Sequence, residues 1–136
     1  MVGLQAALDK WTRMDLFTLV RSEHLNHHGY VFGGCMLKWV DEYAWLTAAR
    51  EYPGYTLVTV AMNNIVFKHS VKNGSILRFS VIRERQGTTS VTYTVNVYAD
   101  APGATHEQQV FVTLVTFACV DAHGKKRALP PAPPAR

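Results

Sequence analysis

A pair of glycines stands at the start of an apolar run in the segment FGGCMLKWVDEYAW. If this run is a helix, Gly33 and Gly34 lie at its amino end, where backbone N–H groups lack partners and the helix dipole favours negative charge. A glycine also lets a ligand approach that end closely. We therefore predict that the N–H of Gly34, or of its neighbour, can donate a hydrogen bond to an anionic oxygen, and would be the oxyanion donor if the chain acts on a carbonyl.

Asp41 is an acidic residue within the same apolar run. It lies about two helical turns after the glycines, on a stripe with Leu37, Trp45 and Ala48. A carboxylate with apolar neighbours is poorly solvated, so it makes a better base or nucleophile than a surface aspartate. The alternative is a surface acid paired with Lys38, which stabilises a helix by roughly a few tenths of a kcal/mol.

The histidines and cysteines indicate no metal site. His24, His27 and His28 crowd the turn beside Asn26, but the pattern H-x-x-H-H matches no zinc site, and no Cys or acid follows at a suitable spacing. We predict that the protein binds no metal. Cys35 at a helix amino end could act as a nucleophile. Since no partner base is indicated by spacing, we interpret it as a packing residue.

The distribution of charge along the chain argues against one class of function, nucleic-acid binding. The chain carries 14 Lys and Arg against 10 Asp and Glu, but four of the bases lie after His123, and this leaves the body of the chain neutral. A nucleic-acid-binding protein needs a basic face on the fold itself, so we predict no nucleic-acid partner. The segment 124–136 is rich in proline and basic residues. It predicts an extended, mobile tail.

The length of 136 residues fits one domain. We predict an amino-terminal extension over 1–13, a single domain over 14–123 and then the tail. No run approaches the roughly 18 apolar residues of a membrane span, and the start lacks the order of a secretory signal. Cys35 and Cys119 are expected to be reduced thiols. These features predict a soluble, cytoplasmic protein without a membrane partner.

The hydrophobic period predicts the elements that position these residues. A strand over 14–22 is followed by a helix from about Cys35 to Glu51. Four β-rich runs come next, separated by turns at Asn73-Gly74, Gln86-Gly87-Thr88 and Ala101-Pro102-Gly103. Such turns favour hairpins, so we predict that successive strands are antiparallel neighbours. The last run is apolar on both faces, which predicts a central strand.

Together these elements predict an α+β fold in which one long central helix is wrapped by a curved antiparallel sheet of about five strands. The helix is apolar over more than half of its circumference, as expected when a sheet covers it. Such a sheet has long free edges, which a second copy of the chain commonly covers. We therefore predict a homo-oligomer, with a dimer as its smallest unit.

The pattern N-x-x-G-x-x-F-G-G-x-x-x-x-x-x-D resembles the signature of the hotdog-fold acyl-CoA thioesterases, the cytosolic acyl-CoA hydrolases. It is filled by Asn26, Gly29, Phe32, Gly33, Gly34 and Asp41. Three later segments are similar to the same family in order: VTVAMNNIVFKHSVKNGSIL, RERQGTTSVTYTVNV and VFVTLVTFACVDAHGKKRALP. The resemblance covers roughly residues 14–130. Asn63 departs from it, since many relatives carry an acid at that place.

The resemblance implies hydrolysis of acyl-CoA to a free acid and coenzyme A, with no cofactor other than the coenzyme A of the substrate. It also implies that Asp41 of one protomer, as base or nucleophile, works with Asn26 of the facing protomer. The site would then exist only at the interface of a homodimer, or of a trimer of dimers. Thr89 and Ser90 are implied to contact the substrate or the neighbouring site, and Phe32 and Gly33 are expected to contact it as part of the motif.

Bases exceed acids over residues 68–85, where only Glu84 opposes them. The five are Lys68, Lys72, Arg78, Arg83 and Arg85. Among them we expect Lys68, Arg83 and Arg85 to contact the phosphates of coenzyme A, although solvated strand faces would explain the same charges. Trp39, Tyr43 and Trp45 could line an acyl tunnel or simply pack the core.

Two other functions are compatible with a chain of this kind. A hotdog hydratase or dehydratase needs a histidine opposite the acid, and His27 or His28 would have to serve. A non-catalytic acyl-CoA-binding regulatory module would need neither Asp41 nor turnover. Release of thiol from acyl-CoA distinguishes the hydrolase from both.

Overall fold

The computed structural model describes residues 13–132. Its elements are β1 (Arg13–Leu19), a 3-10 turn (Ser22–His24), α1 (Gly33–Glu51), β2 (Thr56–Phe67), β3 (Ile76–Gln86), β4 (Ser90–Asp100) and β5 (Gln108–Val120). The predicted number and order of elements are confirmed, and the helix begins two residues earlier than its period indicated. The predicted extension 1–13, apart from Arg13, lies outside the described residues.

The five strands form one antiparallel sheet in the order β1-β3-β4-β5-β2. The predicted hairpins β3–β4 and β4–β5 are confirmed, and β5 is an interior strand as expected. The prediction that β2 and β3 are neighbours is wrong. Gly74 adopts the left-handed conformation of a turn, with φ 83°, but its N–H donates to Val20 O at 2.9 Å. The turn therefore docks on the end of β1, and β2 lies at the opposite edge of the sheet.

The core lies between one face of the sheet and α1. Alternate residues of β4 point inward, as their period predicts: Val91, Tyr93, Val95 and Val97 are buried. The helix contributes Trp39, Val40, Ala44 and Ala48, which are buried against this face. A large apolar side chain that is fully buried contributes roughly 1.5–3 kcal/mol. This packing fixes the rotation of α1, and with it the direction in which Asp41 points.

A polar network closes the carboxyl end of α1. The Tyr93 hydroxyl donates to Glu51 Oε1 at 2.5 Å, and Arg83 Nη1 lies 3.2 Å from Glu51 Oε2. Burial, together with the hydrogen bond to Glu51, raises the pKa of Tyr93 far above its usual range. Because a partly buried carboxylate is stabilised by such partners, the network ties the end of the helix to β3 and β4.

Residues 125–130 lie along the end of the sheet and form backbone hydrogen bonds with it, whereas the mobility of the segment 124–136 stays a prediction. The Arg127 N–H donates to Cys119 O at 2.9 Å, and the Leu129 N–H donates to Thr88 O at 2.8 Å. Proline content indicates extended backbone, yet extended backbone can still pair with a strand end. Composition could not distinguish the two. Residues 133–136 lie outside the described part.

Strand β2 is an edge strand with many exposed apolar side chains. These are Val58, Val60, Ile65, Val66 and Phe67. Two register irregularities interrupt its pairing with β5, one between Thr59 and Ala61 and one between Asn63 and Val66. Within residues 13–132 no helix is long and apolar enough to cross a membrane.

Candidate active site

The amino end of α1 offers two free backbone donors. Its N-cap residue, Phe32, provides no side-chain cap, and its carbonyl oxygen accepts from the N–H groups of Cys35 and Met36 at 3.0 and 3.2 Å. Neither the Gly33 nor the Gly34 N–H has an acceptor among the described residues. Both are therefore available to an anionic oxygen, and the helix dipole favours that charge.

Packing at the same end is tight at Gly34 and close to ordinary contact at Gly33. A Cβ atom on Gly34 would lie 3.2 Å from the Phe32 ring, and one on Gly33 would lie 3.4 Å from the Phe67 ring. Larger residues would place side chains where a ligand must approach the N–H groups.

Asn26 is fixed in orientation by the turn that follows it. Its Oδ1 accepts from the N–H groups of His28 and Tyr30 at 2.9 and 3.2 Å. Because the oxygen is committed to two donors, the remaining amide nitrogen is assigned as Nδ2. This NH2 group makes no hydrogen bond within residues 13–132, so it can donate to a ligand.

Asp41 is held by the edge strand β2. Its Oδ1 accepts from Thr59 Oγ1 at 2.6 Å, whereas no ion pair with Lys38 occurs in the described structure. Asp41 is partly buried, and its second carboxylate oxygen has no hydrogen-bond partner among the described residues. The carboxylate is thus oriented and one oxygen is free to accept a proton.

Thr59 is a site residue that the sequence analysis missed. It lies on the same face of β2 as the buried Leu57, two positions before it, although its own side chain is exposed. The signal in the sequence was a hydroxyl residue that alternates with apolar residues on one face of a strand. Its partner lies 18 positions away, and that contact depends on how the helix packs on the sheet.

The two parts of the site are separated within one chain. Gly34 and Asp41 lie on the same face of α1, but seven residues of helix correspond to about 10 Å of axial rise. A carbonyl held at the amino end is therefore beyond direct reach of the Asp41 carboxylate of the same chain.

A cleft of about 760 Å³ opens beside Asn26. Apolar residues form part of its wall, namely Val31, Met36, Phe67, Val71 and Val110. Polar residues form the rest, namely Asn26, His28, Tyr30, Lys68, His69 and Ser70. The mixture suits an elongated ligand that carries both apolar and polar groups.

A profile of the thioesterase superfamily matches residues 28–105. This match covers more than half of the chain. The chain belongs to the thioesterase superfamily. Acyl-coenzyme A thioesterase 11 of Mus musculus is 29% identical over 106 residues, which are 78% of this chain and 18% of the mouse protein. The chain thus spans about a fifth of the length of that superfamily member. Acyl-CoA thioester hydrolase YciA of Escherichia coli is 28% identical over 118 residues, covering 85% of this chain and 89% of the relative.

Solved thioesterase structures share the fold. The acyl-CoA hydrolase of Staphylococcus aureus, solved in complex with butyryl coenzyme A, coenzyme A and coenzyme A disulfide, aligns with TM-score 0.80 at 26% identity and covers 89% of this chain and 73% of that one. The same hydrolase has been solved with an asparagine, a threonine or an aspartate replaced by alanine. An apo-hexameric acyl-CoA thioesterase aligns with TM-score 0.81 at 28% identity, covering 89% and 77%. The predicted hotdog fold is confirmed.

Thr89, Ser90 and Phe32 are also predicted to contact the substrate. Thr89 and Ser90 lie at the start of β4, at the end of the sheet opposite the amino end of α1. Their carbonyl oxygens accept from the N–H groups of Cys119 and Gly87, each at 2.8 Å. Phe32 is exposed and lies over Gly34. The substrate contacts of Thr89, Ser90 and Phe32 remain predictions.

The predicted phosphate ligands divide into two groups. Arg83 is held inside by Glu51, a placement that disfavours contact with a phosphate. Arg85 is exposed, and Lys68 lines the cleft, where its Nζ donates to Gln109 Oε1 at 3.0 Å. Charge counting along the chain could not separate these cases, because the partner of Arg83 is 32 positions away.

The aromatic residues of α1 have different roles. The Trp39 and Tyr43 rings lie edge-on to Phe79, with centroids 6.2 and 4.9 Å away. They pack the core on the face of the helix opposite Asp41, so the structure does not support their place in an acyl tunnel. Trp45 lies on the Asp41 side, is half exposed and donates from Nε1 to Leu57 O at 3.1 Å.

The cysteines and histidines show no reactive or metal-binding arrangement. Cys35 and Cys119 are buried free thiols, as expected, and burial raises the pKa of Cys35. A raised pKa disfavours the thiolate and therefore nucleophilic attack. The rings of His27 and His28 contact each other, with their centroids 3.9 Å apart. Within residues 13–132 no group of three potential ligands is arranged to hold a metal.

Proposed function

We propose that the protein hydrolyses acyl-CoA thioesters to a carboxylic acid and coenzyme A. The observation that carries the proposal is the Asp41 carboxylate of α1, held beside the edge strand β2 by the Thr59 hydroxyl, together with the free donors at Asn26 and Gly34. Membership of the thioesterase superfamily supports it. So do the relatives named as acyl-CoA thioesterases and hydrolases.

The proposed reaction uses Asp41 as base or nucleophile. As base, the carboxylate takes a proton from water while the water oxygen attacks the thioester carbon. As nucleophile, it attacks that carbon itself to give an anhydride, which water then hydrolyses. In both routes the carbonyl oxygen becomes negative and accepts from the Gly34 N–H and Asn26 Nδ2. The C–S bond then breaks and coenzyme A leaves as thiolate, which takes up a proton. No resident metal or organic cofactor is part of the proposal.

We infer that the two halves of the site come from two protomers paired through β2. Thr59 lies near the start of this strand, whereas Phe67, at its end, lies beside Gly33. Antiparallel pairing of β2 with its own copy about a twofold axis brings the start of one strand to the end of the other. Asp41 of one protomer then approaches the amino end of α1 in the partner. The hexameric thioesterase that shares the fold supports a homo-oligomer.

The first test measures thiol release from a panel of acyl-CoAs. Asp41→Asn keeps the shape of the side chain but removes the base, so we expect kcat to fall by about 10²- to 10⁴-fold. Glu42→Gln, at the exposed neighbouring acid, is the matched control and should keep wild-type turnover. Retained turnover in Asp41→Asn would remove the proposed mechanism. Hydration of an enoyl-CoA without thiol release would favour the hydratase.

The second test mixes two inactive proteins. Asp41→Asn and Asn26→Ala are unfolded together and refolded at equal amounts. In the heterodimer one site receives an intact Asn26 and an intact Asp41, so we expect recovery of about a quarter of wild-type activity after random pairing. A site built within one chain would show no recovery, and that result would overturn the shared site.

A further inference from the structure

The cleft beside Asn26 reaches the amino end of α1. Its wall includes Asn26 and also Phe67, whose ring would lie 3.4 Å from a Cβ atom on Gly33. Met36, in the first turn of α1, lines the cleft as well. A carbonyl oxygen held by the Asn26 NH2 group and the amino end of α1 is therefore placed at this cleft. The sulfur of the same thioester is bonded to the same carbon, so it is placed there too.

The leaving sulfur of the proposed reaction needs a source for its proton. Asp41 takes up a proton or attacks the carbon, and the donors at Asn26 and Gly34 stabilise the carbonyl oxygen, so none of these groups serves the sulfur. A thiolate is a strong nucleophile and can attack the acyl group again, above all the anhydride of the nucleophilic route. Protonation of the sulfur prevents this return, because the thiol is a poor nucleophile.

His28 is an exposed histidine in the wall of the same cleft. Its backbone N–H donates to Asn26 Oδ1 at 2.9 Å, so the hydrogen bond that orients the Asn26 amide also fixes the place of His28 beside it. The His28 ring contacts the ring of His27, with centroids 3.9 Å apart. It makes no hydrogen bond or ion pair within residues 13–132. Its ring nitrogens are thus open to a ligand in the cleft.

The cleft contains few groups that could exchange a proton with a substrate. Among the described residues no carboxylate lines it, and its titratable groups besides His28 are Tyr30, Lys68 and His69. In the proposed dimer the Asp41 carboxylate of the second protomer faces the same space. Lysine and tyrosine ordinarily hold their protons at neutral pH, whereas imidazole both gives up and regains one there. Of the two histidines in the wall, His28 is the one tied to Asn26.

We infer that His28 is the general acid that protonates the leaving sulfur. The inference rests on the proposed function, since it needs a thioester held beside Asn26. As the C–S bond breaks, its electron pair goes to the sulfur, and the imidazolium of His28 transfers one proton to it to give the thiol. An alkyl thiol ordinarily has a pKa about two units above that of imidazole, so the transfer is favourable. Neutral His28 then regains a proton from the solvent, which receives the one that Asp41 took from water.

The first test compares two thioesters of the same acyl group, one of coenzyme A and one of thiophenol. Thiophenol is a stronger acid than an alkyl thiol, so it leaves readily without a proton donor. In His28→Gln we expect kcat for the acyl-CoA to fall about 10²-fold, and kcat for the aryl thioester to change by less than about twofold. His27→Gln, at the neighbouring ring outside the wall of the cleft, is the control and should match wild type with both substrates.

The second test supplies the acid from solution. His28 is exposed, so His28→Ala leaves room for a free imidazole at the cleft. We expect added imidazole to restore kcat of His28→Ala with the acyl-CoA and to leave wild-type turnover unchanged. Turnover of His28→Ala that does not respond to imidazole would mean that His28 serves only the turn, and the inference would be wrong.

Three outcomes of the first test would also overturn the inference. An equal loss with both thioesters would mean that His28 acts on the carbonyl or on the fold, and unchanged kcat in His28→Gln would mean that the thiolate leaves without it. A loss confined to the acyl-CoA in His69→Gln, rather than in His28→Gln, would assign the acid to the other histidine of the cleft. In all three cases a wild type that hydrolyses acyl-CoA leaves the proposed function standing, whereas a wild type that releases thiol from neither thioester removes both.

Discussion

The bond between Thr59 and Asp41 decides how the proposed base is presented. A carboxylate on a helix can rotate about two side-chain torsions. Accepting from Thr59 Oγ1 at 2.6 Å fixes one oxygen towards β2. The other oxygen then has a defined direction, away from the sheet. Thr59 acts through Asp41 and is a positioning residue.

Thr59→Val should lower kcat with little change in KM. Valine keeps the shape but removes the donor, so we expect kcat to fall by about 5- to 30-fold, the loss of a hydrogen bond to a charged group. Thr59→Ser retains the hydroxyl and should recover most of the rate. Steady-state kinetics over a range of pH provide the measurement. Equal rates for Thr59→Val and Thr59→Ser would show that the methyl group, rather than the hydrogen bond, matters.

At this scale the sequence singled out candidate residues by their type and missed residues whose place depends on a distant partner. Asn26, Gly34 and Asp41 stand close together in the chain and could be singled out. Thr59 and the pairing of Arg83 with Glu51 depend on contacts between distant segments. Residue type and spacing do not contain that information.

Two neutral tyrosines, in addition to the ion pair of Glu51 with Arg83, hold the carboxyl end of α1 in place. Tyr93 and Tyr52 are both buried, and burial raises the pKa of each. The Tyr52 hydroxyl donates to Gln86 Oε1 at 2.5 Å, and Gln86 Nε2 donates to Pro130 O at 2.6 Å. The packed tail is therefore linked through two side chains to the end of the helix.

Tyr93→Phe should change how the free energy of unfolding depends on pH. A tyrosine whose pKa is raised in the folded state contributes stability that is full below its unfolded pKa, about 10, and is lost as the pH rises above that value. We expect Tyr93→Phe to be less stable at pH 7 by about 1–3 kcal/mol, because Glu51 loses a donor. Its stability should also fall less steeply above pH 10, with Tyr52 providing the remaining slope.

Denaturant unfolding from pH 7 to pH 11 measures this effect. Tyr30→Phe, at an exposed tyrosine, is the control and should keep the wild-type slope. An unchanged alkaline slope in Tyr93→Phe would contradict the role given to burial.

The period of the apolar residues predicted the helix and the strands correctly. The turn sequences predicted only some of the strand pairs. The turns that follow β3 and β4 close hairpins, because each strand returns along its predecessor. The turn at Asn73-Gly74 has the same local chemistry, yet it joins opposite edges of the sheet. A turn fixes the direction of a few residues, whereas pairing depends on which strands cover α1.

In the whole molecule, the β2 edge is a surface on which backbone groups without a strand partner and exposed apolar side chains occur together. Five of its apolar side chains are exposed. Unpaired edges of this kind favour pairing with another chain. The sequence predicted that a second copy would cover an edge, and the order of strands identifies β2 as the edge beside Asp41.

Val60→Lys should separate the protomers without unfolding them. Val60 is 56% exposed, so lysine is tolerated within one chain but places a charge on the edge. We expect a smaller species in sedimentation analysis and loss of most thioesterase activity. Ile76→Lys, a comparable change at a 47% exposed residue outside β2, should keep the dimer. An active monomer would exclude a site shared between chains.

The position of β2 also has a consequence for synthesis on the ribosome. The strand leaves the exit tunnel some forty residues before β5, the one strand that pairs with it among the described elements. During that interval its apolar side chains and its backbone groups have no strand partner in the nascent chain. The strand that we propose joins two protomers is thus also a strand that stays without a partner while the rest of the sheet is synthesised.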